Sequence, residues 1–148
     1  MDANSLTQLV QNLLLSLGIT AEKITVSGTH RTVVAVTLSD GEKLIGEAGE
    51  VLRALNTIAK RLVEAKGHTT TFIIDINGYQ ESQLEGVRSN ARMLAQRARL
   101  FKRDVELEPM SAYERLVVHE LFAEDPEIAT ESAGEGKFRH IVLKYKVS

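Results

Sequence analysis

Between Leu38 and Val51 the period of the apolar residues changes, and Gly41, Gly46 and Gly49 mark the change. Upstream, in Thr32 to Leu38, Val34, Val36 and Leu38 alternate as a strand with one buried face does. Downstream, Val51, Leu55, Ile58, Ala59 and Leu62 recur at helical spacing, and Gly67 closes that stripe. A chain that switches period across a glycine-rich turn must fold as a mixture of helix and sheet. Lys23-Ile24-Thr25-Val26 leads through Ser27-Gly28 into the alternating strand, which reads as a hairpin ended by Asp40-Gly41. Ser5 and Gln8 read as a capping box for a first helix bearing Leu6, Val10, Leu13, Leu14 and Leu17, with Gly18 as its stop. Thr70 to Ile76 reads as a third strand, ended by Asn77-Gly78. The first half is therefore expected to be an α+β unit of helix, two strands, a glycine-bracketed turn with helices on either side, and a third strand.

The second half opens with a long helix predicted from Tyr79 to about Phe101. Val105 to Pro109 reads as extended. Ser111 and Glu114 form a capping box for a helix carrying Leu116, Val117, Leu121 and Phe122. Asp125-Pro126 begins a short turn or helix, and Gly134-Glu135-Gly136 leads into a final strand in which Ile141, Leu143, Tyr145 and Val147 share a face. With 148 residues the chain suits one domain or two small ones. The absence of cysteine excludes disulfides, zinc thiolates and a thiol nucleophile. The start lacks the positive segment of a secretory signal, and Leu13-Leu14-Leu15 is interrupted too soon to span a bilayer. A cytoplasmic location without membrane insertion is expected.

Three features carry chemistry. The first is the turn Gly46-Glu47-Ala48-Gly49, whose glycines would let backbone amides approach a phosphate ahead of a helix N-terminus. Any tight turn uses glycine this way, so the pattern alone is weak. In its setting, with Leu44-Ile45 before it and an amphipathic helix after it, the segment from about Asn4 to Gly78 resembles a KH domain of the bacterial arrangement. That module clamps a short single strand with its GxxG loop. The loop departs from the KH pattern in having Glu47, Ala48 and then Glu50, offset locally only by Lys43 and Arg53. It is expected either to bind weakly or to have been turned to protein contact.

The second feature is this helix after the third strand: from Arg88 to Arg103 the chain holds Arg88, Arg92, Arg97, Arg99, Lys102 and Arg103 and no acidic residue. At about 100° per residue, Arg88, Arg92, Arg99, Lys102 and Arg103 fall within an arc of roughly 100°. Leu84, Val87, Ala91, Leu94 and Ala98 fall on an adjacent arc expected to face the core. Most charge runs are solvated faces, but those mix signs, and like charges at this spacing repel. A positive stripe inside a chain of net charge -2 therefore suggests an anionic partner and a local field.

The third is Arg115 with His119, four residues apart on one helix face, where both can grip one phosphate. Alone the pair is common. With Leu107 to Glu114 before it, and Thr130 to Gly136 and Arg139 after it, the region resembles the single-strand-binding domain named for an Arg and a His separated by three residues. More closely, the whole chain resembles the bacterial Jag family, also called KhpB or SpoIIIJ-associated, in which that domain follows a KH domain. The resemblance implies a KH domain over 4–78, with helices on a three-stranded sheet. It implies a linker helix plus a small α/β Arg-xxx-His domain over 79–148. The chain begins almost directly with the KH helix, so the extra N-terminal domain of many Jag proteins is expected to be missing.

The function so implied is binding of single-stranded RNA, or single-stranded DNA, as a post-transcriptional regulator or RNA chaperone tied to cell shape, envelope growth or division. A second small KH protein, or a second copy, would be the protein partner. The expected contacts are Arg115 and His119, with Lys137 and Arg139 on the last hairpin, and Arg88, Arg92, Arg99 and Arg103 extending the path. Tyr79, Tyr113 and Phe138 are the candidates for base stacking, and with 5% aromatic residues the sequence preference should be limited. The alternative is a protein-interaction adaptor whose KH loop no longer holds RNA. An enzyme is not expected. His119-Glu120 lacks the second histidine of a zinc protease helix, no Walker motif is present, and His30, His68, His119 and His140 have no metal-ligand spacing. No cofactor, metal or catalytic residue is called for.

Overall fold

The computed structural model describes residues 1–28 and 31–147, so His30 lies outside the described residues. The chain divides into two compact units, Met1–Glu81 and Ser82–Ser148.

The first unit runs α1 (Ala3–Ser16), β1 (Lys23–Ser27), β2 (Thr32–Thr37), α2 (Glu42–Ile45), α3 (Glu50–Ala65) and β3 (Phe72–Ile76). Its sheet has the order β1-β2-β3. β1 is antiparallel to β2 with Ile24 opposite Val36, and β3 is parallel to β2 with Val34 opposite Ile74. A parallel neighbour needs a crossover, which α2 and α3 provide. Val34, Val36 and Leu38 are buried as their alternation predicts, packed with Leu6, Val10 and Leu14 of α1, Leu52, Leu55, Ala59 and Val63 of α3, and Ile74 and Ile76 of β3.

Two expectations are corrected here. α1 starts a turn before the expected capping box, because the Asp2 carboxylate accepts the Ser5 amide at 2.8 Å. On α3 the buried face is Leu52, Leu55, Ala59 and Val63, whereas Val51, Ile58 and Leu62 remain exposed. Both stripes have helical spacing and share Leu55 and Ala59, and packing selects the one that meets α1 and the sheet.

The second unit begins within the first turn of α4 (Tyr79–Phe101) and continues with β4 (Val105–Glu106), α5 (Ala112–Leu121), β5 (Ile128–Ala133) and β6 (His140–Tyr145). Its antiparallel sheet has the order β4-β6-β5, with Thr130 opposite Leu143. Ala91, Ala95 and Ala98 of α4 pack with Leu107, Val118, Phe122, Ile128, Ile141 and Leu143. Alanines every three or four residues let the helix approach closely. The capping box of α5 is present: the Glu114 amide donates to Ser111 Oγ and the Ser111 amide to Glu114 Oε2, both at 3.2 Å. β5 had no strand pattern in the sequence, yet it pairs with β6 along its whole length. Val147, expected on the inner face of the last strand, lies beyond β6 and is exposed.

Candidate nucleic-acid interface

α5 carries Arg115 and His119, and the sheet strand β5 fixes the histidine. Thr130 and Ser132 lie two apart on one face of β5. His119 Nδ1 is 2.5 Å from Thr130 Oγ1 and Nε2 is 3.1 Å from Ser132 Oγ. Both ring nitrogens are thus engaged, and the imidazole is held in one orientation. Arg115 Nη1 donates to the Met110 carbonyl at 2.7 Å, and the Met110 amide donates to the Arg139 carbonyl at 3.2 Å. Arg139 in turn donates from Nη1 to the Gly134 carbonyl at 2.7 Å. Each guanidinium gives one donor to a carbonyl and keeps the rest of its fork.

Gly134, at φ +83, lets this loop close, since a Cβ there would stand 2.9 Å from the Phe138 carbonyl oxygen. Lys137 Nζ lies 5.3 Å from the centroid of the Phe138 ring, which is 65% exposed. The backbone link through Met110 therefore ties Arg115 to the Lys137–Arg139 loop, and no carboxylate is paired with any of these three cations among the described residues. The hydroxyls of Thr130 and Ser132 are the site residues that sequence reasoning missed as contacts. They stood in the motif, but their i,i+2 spacing meant nothing until β5 was recognised as a strand.

The glycine turn of the first unit is sterically built. Gly46 (φ +74) could not carry a Cβ, which would lie 2.5 Å from Val51 Cγ2. Gly49 (φ +76) sits against the Tyr79 ring, where a Cβ would stand at 3.1 Å. Ala48, at φ 52, is left-handed without being glycine. The two cations expected to offset Glu47 and Glu50 are occupied. Arg53 Nη1 donates to the Ala48 carbonyl at 2.7 Å, and Lys43 pairs with Asp40 at 3.5 Å. Beside the turn, Arg31, Arg53, Thr57, Lys60 and Phe72 line a groove of about 350 Å3 along α3 and β3.

The basic helix is not the unrelieved stripe expected. Glu85, one turn ahead of the run, pairs with Arg88 at 3.3 Å and Arg92 at 3.2 Å, and the Arg92 contact leads in holding its carboxyl below the usual range. Arg99 is bonded to Asp125 and lies 3.8 Å from Glu127. The correction has a simple cause: the acidic partners come from outside the run, a turn before it and from the loop ahead of β5. Burial works against ionisation of Asp125, but the Glu127 amide, Arg99 and the Ile128 amide outweigh it, and its pKa is lowered. Arg97, Lys102 and Arg103 have no carboxylate partner among the described residues. No group of three or more His, Asp or Glu that could hold a metal, and no helix long and apolar enough to cross a membrane, occurs among the described residues.

The family of the Arg-xxx-His domain, named for an arginine and a histidine with three residues between them, matches residues 83–145. That stretch holds α5, β5 and the Lys137–Arg139 loop. The chain is 32% identical over 104 residues to a protein of Clostridium symbiosum named RNA-binding protein KhpB, covering 70% of this chain and 47% of that relative. It is 31% identical over 127 residues to the Bacillus subtilis protein of the same name, covering 83% of this chain and 61% of the relative. A Lactiplantibacillus plantarum protein so named is 24% identical over 128 residues, 86% of this chain and 40% of its own length. The chain thus spans about half the length of the curated relatives it matches. It carries an Arg-xxx-His domain around Arg115 and His119 and, with relatives that align across both units, is similar along most of its length to proteins of the Jag/KhpB family.

Proposed function

We propose that this protein binds single-stranded nucleic acid, RNA above all, and that the main contact is the face of the second unit bearing Arg115, His119, Lys137 and Arg139. The observation that carries this reading is the preorganisation of that face. His119 is locked by two hydroxyls, and Arg115 and Arg139 are anchored through backbone carbonyls rather than carboxylates. Their positive charge is therefore uncompensated, and a phosphate is the partner that completes it. Phe138, exposed beside Lys137, is placed to stack a base. The names of the relatives agree with RNA as ligand. A non-enzymatic role, in the cytoplasm and in post-transcriptional control linked to the cell envelope, goes with this reading.

The first unit, about 4–78, is proposed to be a KH domain, and 79–148 the linker helix with the Arg-xxx-His domain. Supporting this are the order of helix, strand, strand, helix, GxxG turn, helix and strand, and the third strand running parallel to the second. The groove of Arg31, Arg53, Thr57 and Lys60 would then guide a few nucleotides. A second reading, in which this unit docks a small KH protein or another copy instead, is favoured by two features. Glu47 and Glu50 stand beside cations already engaged, and Val51, Ile58 and Leu62 are exposed on α3.

The test is binding of labelled single-stranded RNA across a salt series, with wild type beside Arg115→Ala/His119→Ala and Glu47→Lys. Wild type should bind with an affinity that falls steeply with salt, and the double substitution should weaken it about tenfold or more. Binding that survives the double substitution would move the site elsewhere. A gain in affinity from Glu47→Lys would put the glycine turn in the RNA path, and no change would favour the docking role.

A further inference from the structure

The C-terminal end of α4 leaves three features together that a folded chain ordinarily separates. Phe101 is 62% exposed, next to an exposed Leu100. Arg97, one helical turn before Phe101, lies on the same helix face. Lys102 then takes a left-handed conformation (φ 52) and the Arg103 amide donates to the Ala98 carbonyl at 3.1 Å. This reversal closes the helix and turns Arg103 back, so that Arg97, Phe101 and Arg103 line one shallow cleft of about 300 Å3 with Asp104 and Val105.

The charges around this cleft are uncompensated. Along the helix Arg88, Arg92 and Arg99 each have a carboxylate partner, but Arg97, and Lys102 and Arg103 just past the helix end, have none among the described residues. The one acid in the cleft, Asp104, is directed elsewhere: it pairs with Lys144 at 3.4 Å and accepts the Tyr145 amide at 3.0 Å.

We propose that this cleft is a base-stacking site separate from the Arg115–His119 face, in which an unpaired base of single-stranded RNA lies on the Phe101 ring and Arg97 and Arg103 hold the flanking phosphates. The proposal rests on the single-strand reading above. An exposed aromatic ring flanked by unpaired cations is the combination that single-strand binders use, since every base has a face to stack and every linkage a phosphate to neutralise. Charge complementarity selects this occupant over a second copy of the chain. A symmetric contact would bring the same three cations face to face, while a single strand brings anions.

The protein contains no tryptophan, so Phe101→Trp in the full chain introduces a sole indole at the proposed contact. Its fluorescence should be quenched by single-stranded oligoribonucleotides, and much less by strands of the same length with abasic residues. Phe101→Ala, at a position too exposed to hold the core, should weaken binding about five- to tenfold. Arg97→Gln/Arg103→Gln should flatten the dependence of log K on log salt by about 1.4.

RNA binding by wild type that is lost in Arg115→Ala/His119→Ala but unchanged in Phe101→Ala, with no quenching of the indole, would overturn the cleft and leave the main site standing. No binding by wild type at all would overturn both. Sedimentation showing wild type as a dimer and Phe101→Ala as a monomer, with equal RNA affinity, would make the face a contact between copies and overturn the proposal.

Discussion

His140 links two strands of the second unit through a charge that only the protonated ring can carry. It lies 3.0 Å from the Phe138 carbonyl through Nδ1 and 3.0 Å from Glu106 Oε1 through Nε2. Both partners accept, so both ring nitrogens donate in the imidazolium form. The Phe138 carbonyl first and the Glu106 carboxylate second raise the pKa above 6.5, against partial burial and the nearby Arg139. A histidine whose folded pKa is raised stabilises the fold below its unfolded value, and that contribution fades as pH rises through the folded value. The melting temperature of wild type should therefore exceed that of His140→Gln most at about pH 6, and the gap should narrow towards about pH 8. A gap of the same size at both would show that the imidazolium contributes nothing to stability. At this scale the sequence was informative where chemistry is local. Arg115 and His119 are four apart on one helix, and spacing alone puts them together. Thr130 and Ser132 reach His119 only through the pairing of β5 with β6, a long-range event that no local pattern announces.

Asn56 shows how an element can be secured by a residue that looks ordinary in sequence. On α3 its side chain accepts the Ile74 amide at 2.7 Å and donates to the Ile74 carbonyl at 3.2 Å. These are backbone groups of β3, an edge strand with β2 on its other side. The amide thus occupies hydrogen-bonding positions that a further strand would take, which both anchors α3 to the sheet and blunts an exposed edge. Asn56→Ala should cost about 1–3 kcal/mol, since it strands an amide and a carbonyl that are partly buried. Chemical denaturation measures it, and a loss below about 0.5 kcal/mol would mean that water replaces the side chain freely. The elements themselves were largely legible: the alternation through Val34, Val36 and Leu38, the Ser111–Glu114 box and the glycine turn all stand where their patterns put them. The face of α3 was not. A helix with apolar residues at 51, 52, 55, 58, 59, 62 and 63 offers two stripes, and only its tertiary neighbours decide between them. β5, with Ala129, Thr130, Glu131, Ser132 and Ala133, has too little apolar alternation to read as a strand without its partner.

Across the second unit, charge is arranged in blocks, and folding decides which block stays positive. From Arg88 to Arg103 there are six basic residues and no acid, from Asp104 to Glu135 ten acids with Arg115 as the one basic residue, and from Lys137 to Lys146 four basic residues. The acidic block folds onto parts of both others: Asp125 and Glu127 take Arg99, while Asp104 and Glu131 take Lys144. Lys146 donates to the Asp125 backbone carbonyl, and what survives beside it is Arg97, Lys102 and Arg103 at one end of α4 and Arg115, Lys137 and Arg139 around α5, six further cations without a carboxylate partner among the described residues. If single-stranded RNA engages all six, log K should fall with log salt with a slope of about -4. Glu85 provides an independent check, because it neutralises Arg88 and Arg92 from the turn before them. Its side chain is exposed, so Glu85→Gln removes a charge without opening the core. Freed of that carboxylate, Arg92 becomes available, and the salt slope should steepen by about 0.7 as affinity rises at low salt. An unchanged slope with an unchanged affinity would place the N-terminal half of α4 outside the RNA path. The carboxylates of this chain, as much as its arginines, would then define where the strand can lie.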